Sequence, residues 1–150
     1  MATMEIAINL LNKGSSKTYP HDSIIINEGV LGKQIYILID GKIEVTKNNK
    51  FITHINDGGS ILGEISMLLG LPYTATCRSV GETHLYEIEI TPRFLEDNPK
   101  LLLMIARDLA RKLHKATSAL ASSNNDLSNT DQEFSGKKID DIYAIIAELY

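Results

Sequence analysis

The sequence predicts a mainly β domain, an antiparallel sandwich or barrel with flanking helices, followed by one long C-terminal helix. Three observations predict it. Short apolar runs recur between Tyr19 and Ile90, each cut by turn residues, and short strands at close, regular spacing belong to antiparallel sheets rather than to alternating β-α-β units. After Ile90 the apolar spacing changes to that of a helix. Finally, 150 residues with 43% hydrophobic and 23% charged side chains suit one globular domain large enough to bury a core.

Taken in order, residues 1–13 predict a short helix with Ile6, Leu10 and Leu11 on one face, ended by Gly14-Ser15-Ser16, so that 1–18 form an N-terminal helix and lead-in. The strand runs are Ile24–Ile26, Ile35–Ile39, Ile43–Thr46, Phe51–Ile55, Ala75–Val80 and Leu85–Ile90. Asn48-Asn49, between Lys47 and Lys50, suits the left-handed backbone of a tight hairpin turn. Tyr86, Ile88 and Ile90 alternate with Glu87 and Glu89, which predicts one buried and one wet face. Thr91-Pro92 is an N-cap followed by proline at the first helical position, and Asn98-Pro99 repeats the device. The second start opens a helix from Pro99 to about Ala121, closing a domain that spans 19–121. Along it Leu102, Ala106, Leu109, Leu113, Ala116 and Leu120 form a heptad seam. That seam predicts a homodimer through residues 102–120; a helix lying on its own barrel is the plainer reading. Residues 122–136 form a polar linker, and 137–150 form an amphipathic helix carrying Ile139, Ile142, Ile146 and Leu149.

Composition excludes several functions. A single cysteine makes no internal disulfide and no cysteine-based zinc site, and it points to a reducing compartment. No apolar run approaches the roughly 20 residues that span a bilayer, and the N-terminus lacks the pattern of a signal peptide. A soluble, cytoplasmic protein without a membrane partner is therefore expected. Through residue 120 there are thirteen basic and thirteen acidic side chains, whereas beyond it Lys137 and Lys138 face six carboxylates. An acidic end of that kind argues against DNA as a partner. His21, His54, His84 and His114 are scattered without metal-ligand spacing, and Cys77 lies inside a strand run with no neighbouring base. No nucleophile-elbow or phosphate-loop sequence occurs. The expectation is a non-enzymatic protein with no catalytic residue, no metal and no cofactor.

Two stretches remain. In the first, Glu28-Gly29 leads through Gly32, Tyr36 and Gly41 to Ile43 and Val45, with glycines punctuating two strands. In the second, Gly63-Glu64-Ile65-Ser66-Met67-Leu68 is followed by Pro72-Tyr73-Thr74-Ala75-Thr76. Backbone N–H groups at a helix start attract an anion, and a carboxylate accepts from sugar hydroxyls. The second stretch is thus a candidate phosphate-and-ribose cradle; a glycine-dependent turn with Glu64 capping it explains the same residues. Together the two stretches resemble the cyclic nucleotide-binding domain of the catabolite activator and protein kinase A regulatory-subunit family, from about Tyr19 to Leu120. The resemblance implies a double-stranded β-helix, a jelly-roll-like β-roll, with flanking helices and a long C-terminal lid. It implies that Gly63, Glu64 and Ile65 hold phosphate and ribose, that Tyr73, Thr74 and Ala75 complete the cassette, and that Thr117 and Ser118, beside Ala116, lie nearest the base. Cyclic AMP or cyclic GMP is the implied ligand.

One departure matters. Members that bind the nucleotide carry an arginine after the cassette proline, and this chain has Tyr73, which donates one hydrogen bond but neutralises no phosphate. Arg78 is an odd number of residues further along the strand and points to the opposite face. Lys112, His114 and Lys115 are the cations the long helix offers. Transcription factors of the family also add a winged helix-turn-helix, and the acidic residues after Leu120 are too few for one. The reading is a regulatory or sensor module whose nucleotide binding is weakened by Tyr73, acting on an unidentified protein partner. The alternative is a degenerate domain that serves as a protein–protein scaffold with no nucleotide.

Overall fold

A computed structural model describes residues 13–127, with side chains through 124. The helix expected over 1–13 and the segment 137–150 lie outside the described residues. Eight strands form two four-stranded antiparallel sheets. They are β1 (Gly14–Tyr19), β2 (Ile24–Ile26), β3 (Gln34–Asp40), β4 (Ile43–Lys47), β5 (Lys50–Ile55), β6 (Ile61–Leu62), β7 (Thr76–Ser79) and β8 (Thr83–Glu89). One sheet runs β1-β8-β3-β6 and the other β2-β7-β4-β5, so the chain repeatedly crosses between them. Helix α1 (Glu64–Leu69) interrupts the strands, and α2 (Pro92–Asp97) and α3 (Pro99–Leu127) follow them. This is the β-roll with a long C-terminal helix that the sequence predicts.

The Ile-rich strands reflect where the cover lies. In β3 and β8, alternate residues feed two separate cores. Tyr36, Leu38 and Leu85 point between the sheets, to meet Ile25, Ile26, Ile43, Val45, Leu62, Tyr73 and Cys77. Ile35, Tyr86 and Ile88 point outward, to meet Ile61, Ile90, Leu95, Leu101 and Ile105 under α2 and α3. A strand covered on both faces loses the polar alternation of a half-exposed one. That is why Leu85 and Tyr86 are both buried although they are neighbours, where the simple alternation read from Tyr86 onward placed one wet face.

The turns follow their residues. Asn48 and Asn49 have φ of 50° and 60°, as the hairpin between β4 and β5 requires. The Thr91 hydroxyl accepts from the Phe94 N–H at 3.2 Å, with Pro92 at the first turn. Asn98 departs from the expected second N-cap. Its side chain donates back to the Phe94 carbonyl at 2.7 Å and so closes α2, while its own carbonyl accepts from Leu101 and Leu102 at the start of α3. Two further boundaries move. Gly14–Tyr19, expected as a lead-in, pairs with β8 along its whole length, so the β-roll starts before residue 19. Helix α3 continues past Ala121 to Leu127, where the Ser122 and Ser123 hydroxyls donate to carbonyls one turn back at 3.1 Å.

Tyr73 belongs to the inner core at 8% exposure. Its hydroxyl donates to the Gln34 carbonyl at 2.9 Å, and its backbone is tied to the Gly29–Val30 turn by two hydrogen bonds. The ring lies so close to Gly32 that a Cβ there would fall 2.1 Å from ring atoms. Glycine is needed at 32 for space, not for backbone conformation. Gly32→Ala is expected to lower stability by about 1–3 kcal/mol through overpacking. In a double-mutant cycle with Tyr73→Ala, the alanine at 32 should cost much less, because the ring it strikes is gone. Urea denaturation of the four proteins checks this; additive losses would mean that the ring and residue 32 do not meet.

Candidate functional site

A cavity of about 480 Å³ opens between the β4–β5 hairpin, the segment running from Gly63 through α1 to Ala75, and α3. Its walls are mostly apolar, from Ile26, Val45, Ile52, Leu62, Ala75 and Ala116. The chain reaches it through Gly63, which has φ of 82°. A Cβ at Gly63 would lie 2.9 Å from the Gln34 carbonyl and 3.1 Å from the Tyr73 ring. The left-handed backbone and the lack of room both call for glycine there. Helix α1 then closes at Gly70, again left-handed, and the Ser66 hydroxyl donates to the Leu71 carbonyl. This turns the chain back into Tyr73, Thr74 and Ala75.

Glu64, the first residue of α1, is 2% exposed. Its Oε1 accepts from the Lys112 ammonium on α3 at 2.6 Å. The same ammonium donates to the Ile61 carbonyl at 2.5 Å and lies 2.9 Å from Asp108 Oδ2, one helical turn before it. That last contact is an ion pair within one helix, at i,i+4. One cation thus sits between two buried carboxylates. Burial pushes the Glu64 carboxyl above its usual range, against the pull of the Lys112 ammonium, and the nearby Asp108 adds to the rise. Burial alone would push the Lys112 ammonium down, but the two carboxylates together hold it above its usual value. At the rim, Lys115 pairs with Asp57 at 3.3 Å, both well exposed, a contact of little energetic weight.

Gly63, Glu64, Ile65, Tyr73, Thr74 and Ala75 all contribute to the lining, and Thr117 and Ser118 do not. The face of α3 that meets the cavity is Asp108, Arg111, Lys112, Lys115, Ala116 and Ala119, which recur at helical spacing. Thr117 lies about two and a half turns beyond Asp108 and faces away, its hydroxyl bonded to the Leu113 and His114 carbonyls at 3.0 Å. Ser118 is exposed beside it. Ala116, named with them from the sequence, does reach the cavity. Tyr73 lines it with its ring, while its hydroxyl is committed to Gln34. Arg78 is likewise committed elsewhere, to Asp22 at 2.8 Å on the outside of the other sheet. Sequence reasoning missed Asp108 and Arg111. The signal was the acid-before-base pair Asp108/Lys112 at i,i+4, overshadowed by the heptad seam on the neighbouring face.

Comparisons with known proteins bear on the family and the fold. The family model described as "Cyclic nucleotide-binding domain" matches residues 16–91, a stretch that contains both sequence motifs. A cGMP-dependent protein kinase of Drosophila melanogaster is 35% identical over 71 residues, covering 47% of this chain and 6% of that protein. The catabolite activator protein of Thermus thermophilus superposes with a TM-score of 0.60 at 21% identity, over 83% of this chain and 59% of the other. The regulatory subunit of a cAMP-independent protein kinase A from Trypanosoma brucei superposes with a TM-score of 0.52 at 21% identity, over 56% of this chain and 31% of that one. At such identities the two structures speak for the fold alone. The chain spans well under two thirds of each of these relatives.

The buried carboxyl gives a pH dependence. A glutamate whose folded pKa is raised keeps its proton in the folded state after the unfolded state has released it. Unfolding then releases a proton, so stability falls as pH rises from about 4.5 towards the folded pKa, by at most about 1.4 kcal/mol per unit. Urea denaturation between pH 4.5 and 7 should show this slope in the unmodified protein and a flatter profile in Glu64→Gln. Identical slopes would show that Glu64 titrates alike in both states.

Proposed function

The chain belongs to the cyclic nucleotide-binding domain family, and we propose that it acts as a non-enzymatic regulatory module whose affinity for cyclic AMP or cyclic GMP is weak. One observation carries the reading. The cavity is walled by the family's cassette, from Gly63-Glu64-Ile65 to Thr74-Ala75, and roofed by α3, so that a ligand bound there touches the barrel and the long helix together. Glu64 is the acceptor for a ribose hydroxyl, Thr74 touches the phosphate, and the apolar walls receive the base. A ligand that bridges cassette and helix changes how the helix sits, and the helix passes that change to a partner protein.

The weakness comes from Tyr73. It supplies no charge, and its hydroxyl already donates to Gln34. Lacking one partner of a buried charge pair costs about 2–5 kcal/mol, or roughly 30-fold to several thousand-fold in dissociation constant. Titration calorimetry with cyclic AMP and cyclic GMP should give constants of tens of micromolar to millimolar. Tyr73→Arg should bind more tightly, with a larger rise in Tm on adding ligand, although the ligand-free variant melts lower for want of the buried ring. Glu64→Ala should weaken whatever binding the unmodified protein has. Tight binding by the unmodified protein would overturn the role given to Tyr73.

The same tyrosine favours a second reading, a scaffold that keeps the β-roll and binds no nucleotide. The fold is compatible with either: the printed names of its relatives run from a cGMP-dependent kinase to a cAMP-independent one, and function resides in sites rather than in folds. Absence of binding even in Tyr73→Arg would favour it.

In both readings α3 also pairs with a second copy. Leu102 and Leu113 of the heptad seam are 40% and 48% exposed, although Leu109 and Ala116 of the same seam meet the outer core and the cavity. Sedimentation should show a dimer at high micromolar concentration, and Leu113→Glu should yield monomers, because the interface would bury an unpaired charge. A monomeric unmodified protein would overturn the pairing.

A further inference from the structure

The three cations that line the cavity differ in what they already hold. Among the described residues Arg111 makes no ion pair within 4 Å, and Lys115 has only the exposed Asp57. Lys112 is different in kind. Its ammonium reaches Glu64, the Ile61 carbonyl and Asp108 at 2.6, 2.5 and 2.9 Å. These contacts join three elements: α1, β6 and α3. Glu64 is the acceptor that the nucleotide reading gives to a ribose hydroxyl, so an ammonium from the lid already stands where the sugar donor would.

We propose that Lys112 is an intramolecular occupant of this acceptor, and that it determines how strongly the site distinguishes a ribose from a deoxyribose. The inference rests on the nucleotide reading above. A ligand that donates to Oε1 of Glu64, the oxygen that Lys112 holds, must first displace the ammonium, which then has only Asp108, the Ile61 carbonyl or solvent. A ligand lacking the 2′-hydroxyl gains nothing at Glu64 and leaves Lys112 where it is. The lock therefore subtracts its own strength from the affinity of the hydroxylated ligand and leaves the deoxy ligand nearly unaffected. Ribose selectivity is muted for as long as Lys112 is present. The same contacts hold α3 against the cassette in ligand-free protein, so sugar recognition and release of the helix are one event.

Lys112→Met removes the charge and keeps most of the stem. Asp108→Asn takes one carboxylate from the ammonium and leaves Glu64 paired, serving as the milder variant should the first fold poorly. Two measurements on the full chain separate the parts. Hydrogen exchange without ligand should show faster exchange of α3 amides from 105 to 116 in both variants, more so in Lys112→Met, with β3 and β8 still protected. Titration with cyclic AMP and 2′-deoxy cyclic AMP should give similar constants in the unmodified protein. In Lys112→Met the hydroxylated ligand should lead by up to about tenfold, the worth of an ordinary hydrogen bond. Unchanged exchange of α3 in both variants overturns the lock. Strong preference for the hydroxylated ligand in the unmodified protein, unaltered in the variants, overturns the selectivity. Loosened α3 with no binding of either nucleotide by any of the proteins supports the lock and overturns the nucleotide reading instead.

Discussion

The ammonium of Lys112, set between Glu64 and Asp108, is where the long helix, the cassette and the cavity meet. Removing charges from water is costly, and a buried carboxylate persists only with a partner. A charged Glu64 buried at the start of α1 needs a counter-ion, and among the described residues the cation it meets comes from α3, 48 residues further on. The apolar contacts of Leu101 and Ile105 fix the first turns of that helix on the barrel. Beyond them the apolar contact gives way to this polar one, and the cavity is the space left beside it. The position of the helix over the site and the state of the carboxylate are therefore one variable rather than two.

Tyr73 is where the chain departs from the arginine that the family resemblance leads one to expect. The surrounding backbone follows the family pattern, with a left-handed glycine at 63, a short helix, and a return through Pro72 and Thr74. At 73 the side chain lies in the inner core with its ring at the cavity wall, where Gly32 and Gly63 leave room for the ring and Gln34 takes its hydroxyl. A ring that fills a core stabilises the β-roll, but it brings no charge to the mouth of the site. Among the described residues the arginine and lysines that line the cavity, Arg111, Lys112 and Lys115, all belong to α3.

Helix α3 carries two faces with different loyalties. Leu101, Ile105, Asp108 and Lys112 are turned to the barrel and the cavity, while Leu102, Leu103 and Leu113 stay exposed. The sequence showed the second face more clearly, because leucines at heptad spacing are a stronger pattern than an acid and a base among them. The site depended on the first.

By itself the sequence determined the class of fold, six of the eight described strands, the Asn48-Asn49 turn, the capped start of α2 and the long helix, while the cassette from Gly63 to Ala75 came from the resemblance to a family. All of these rest on local chemistry: period, turn residues, caps and short motifs are properties of neighbouring residues. The strand Gly14–Tyr19 escaped notice because GSSKTY is mostly polar and exposed, held by its ladder with β8 and by Tyr19 at the edge of the inner core, and Ile61–Leu62 because two residues carry no period. Only the tertiary structure decided that β8 is covered on both faces, that Tyr73 is a core residue, that Thr117 and Ser118 miss the cavity, and that Lys112 holds Glu64. Each of these depends on which surfaces meet across tens of residues. A side chain's sequence position says what it can bond; the packing of distant elements says what it does bond.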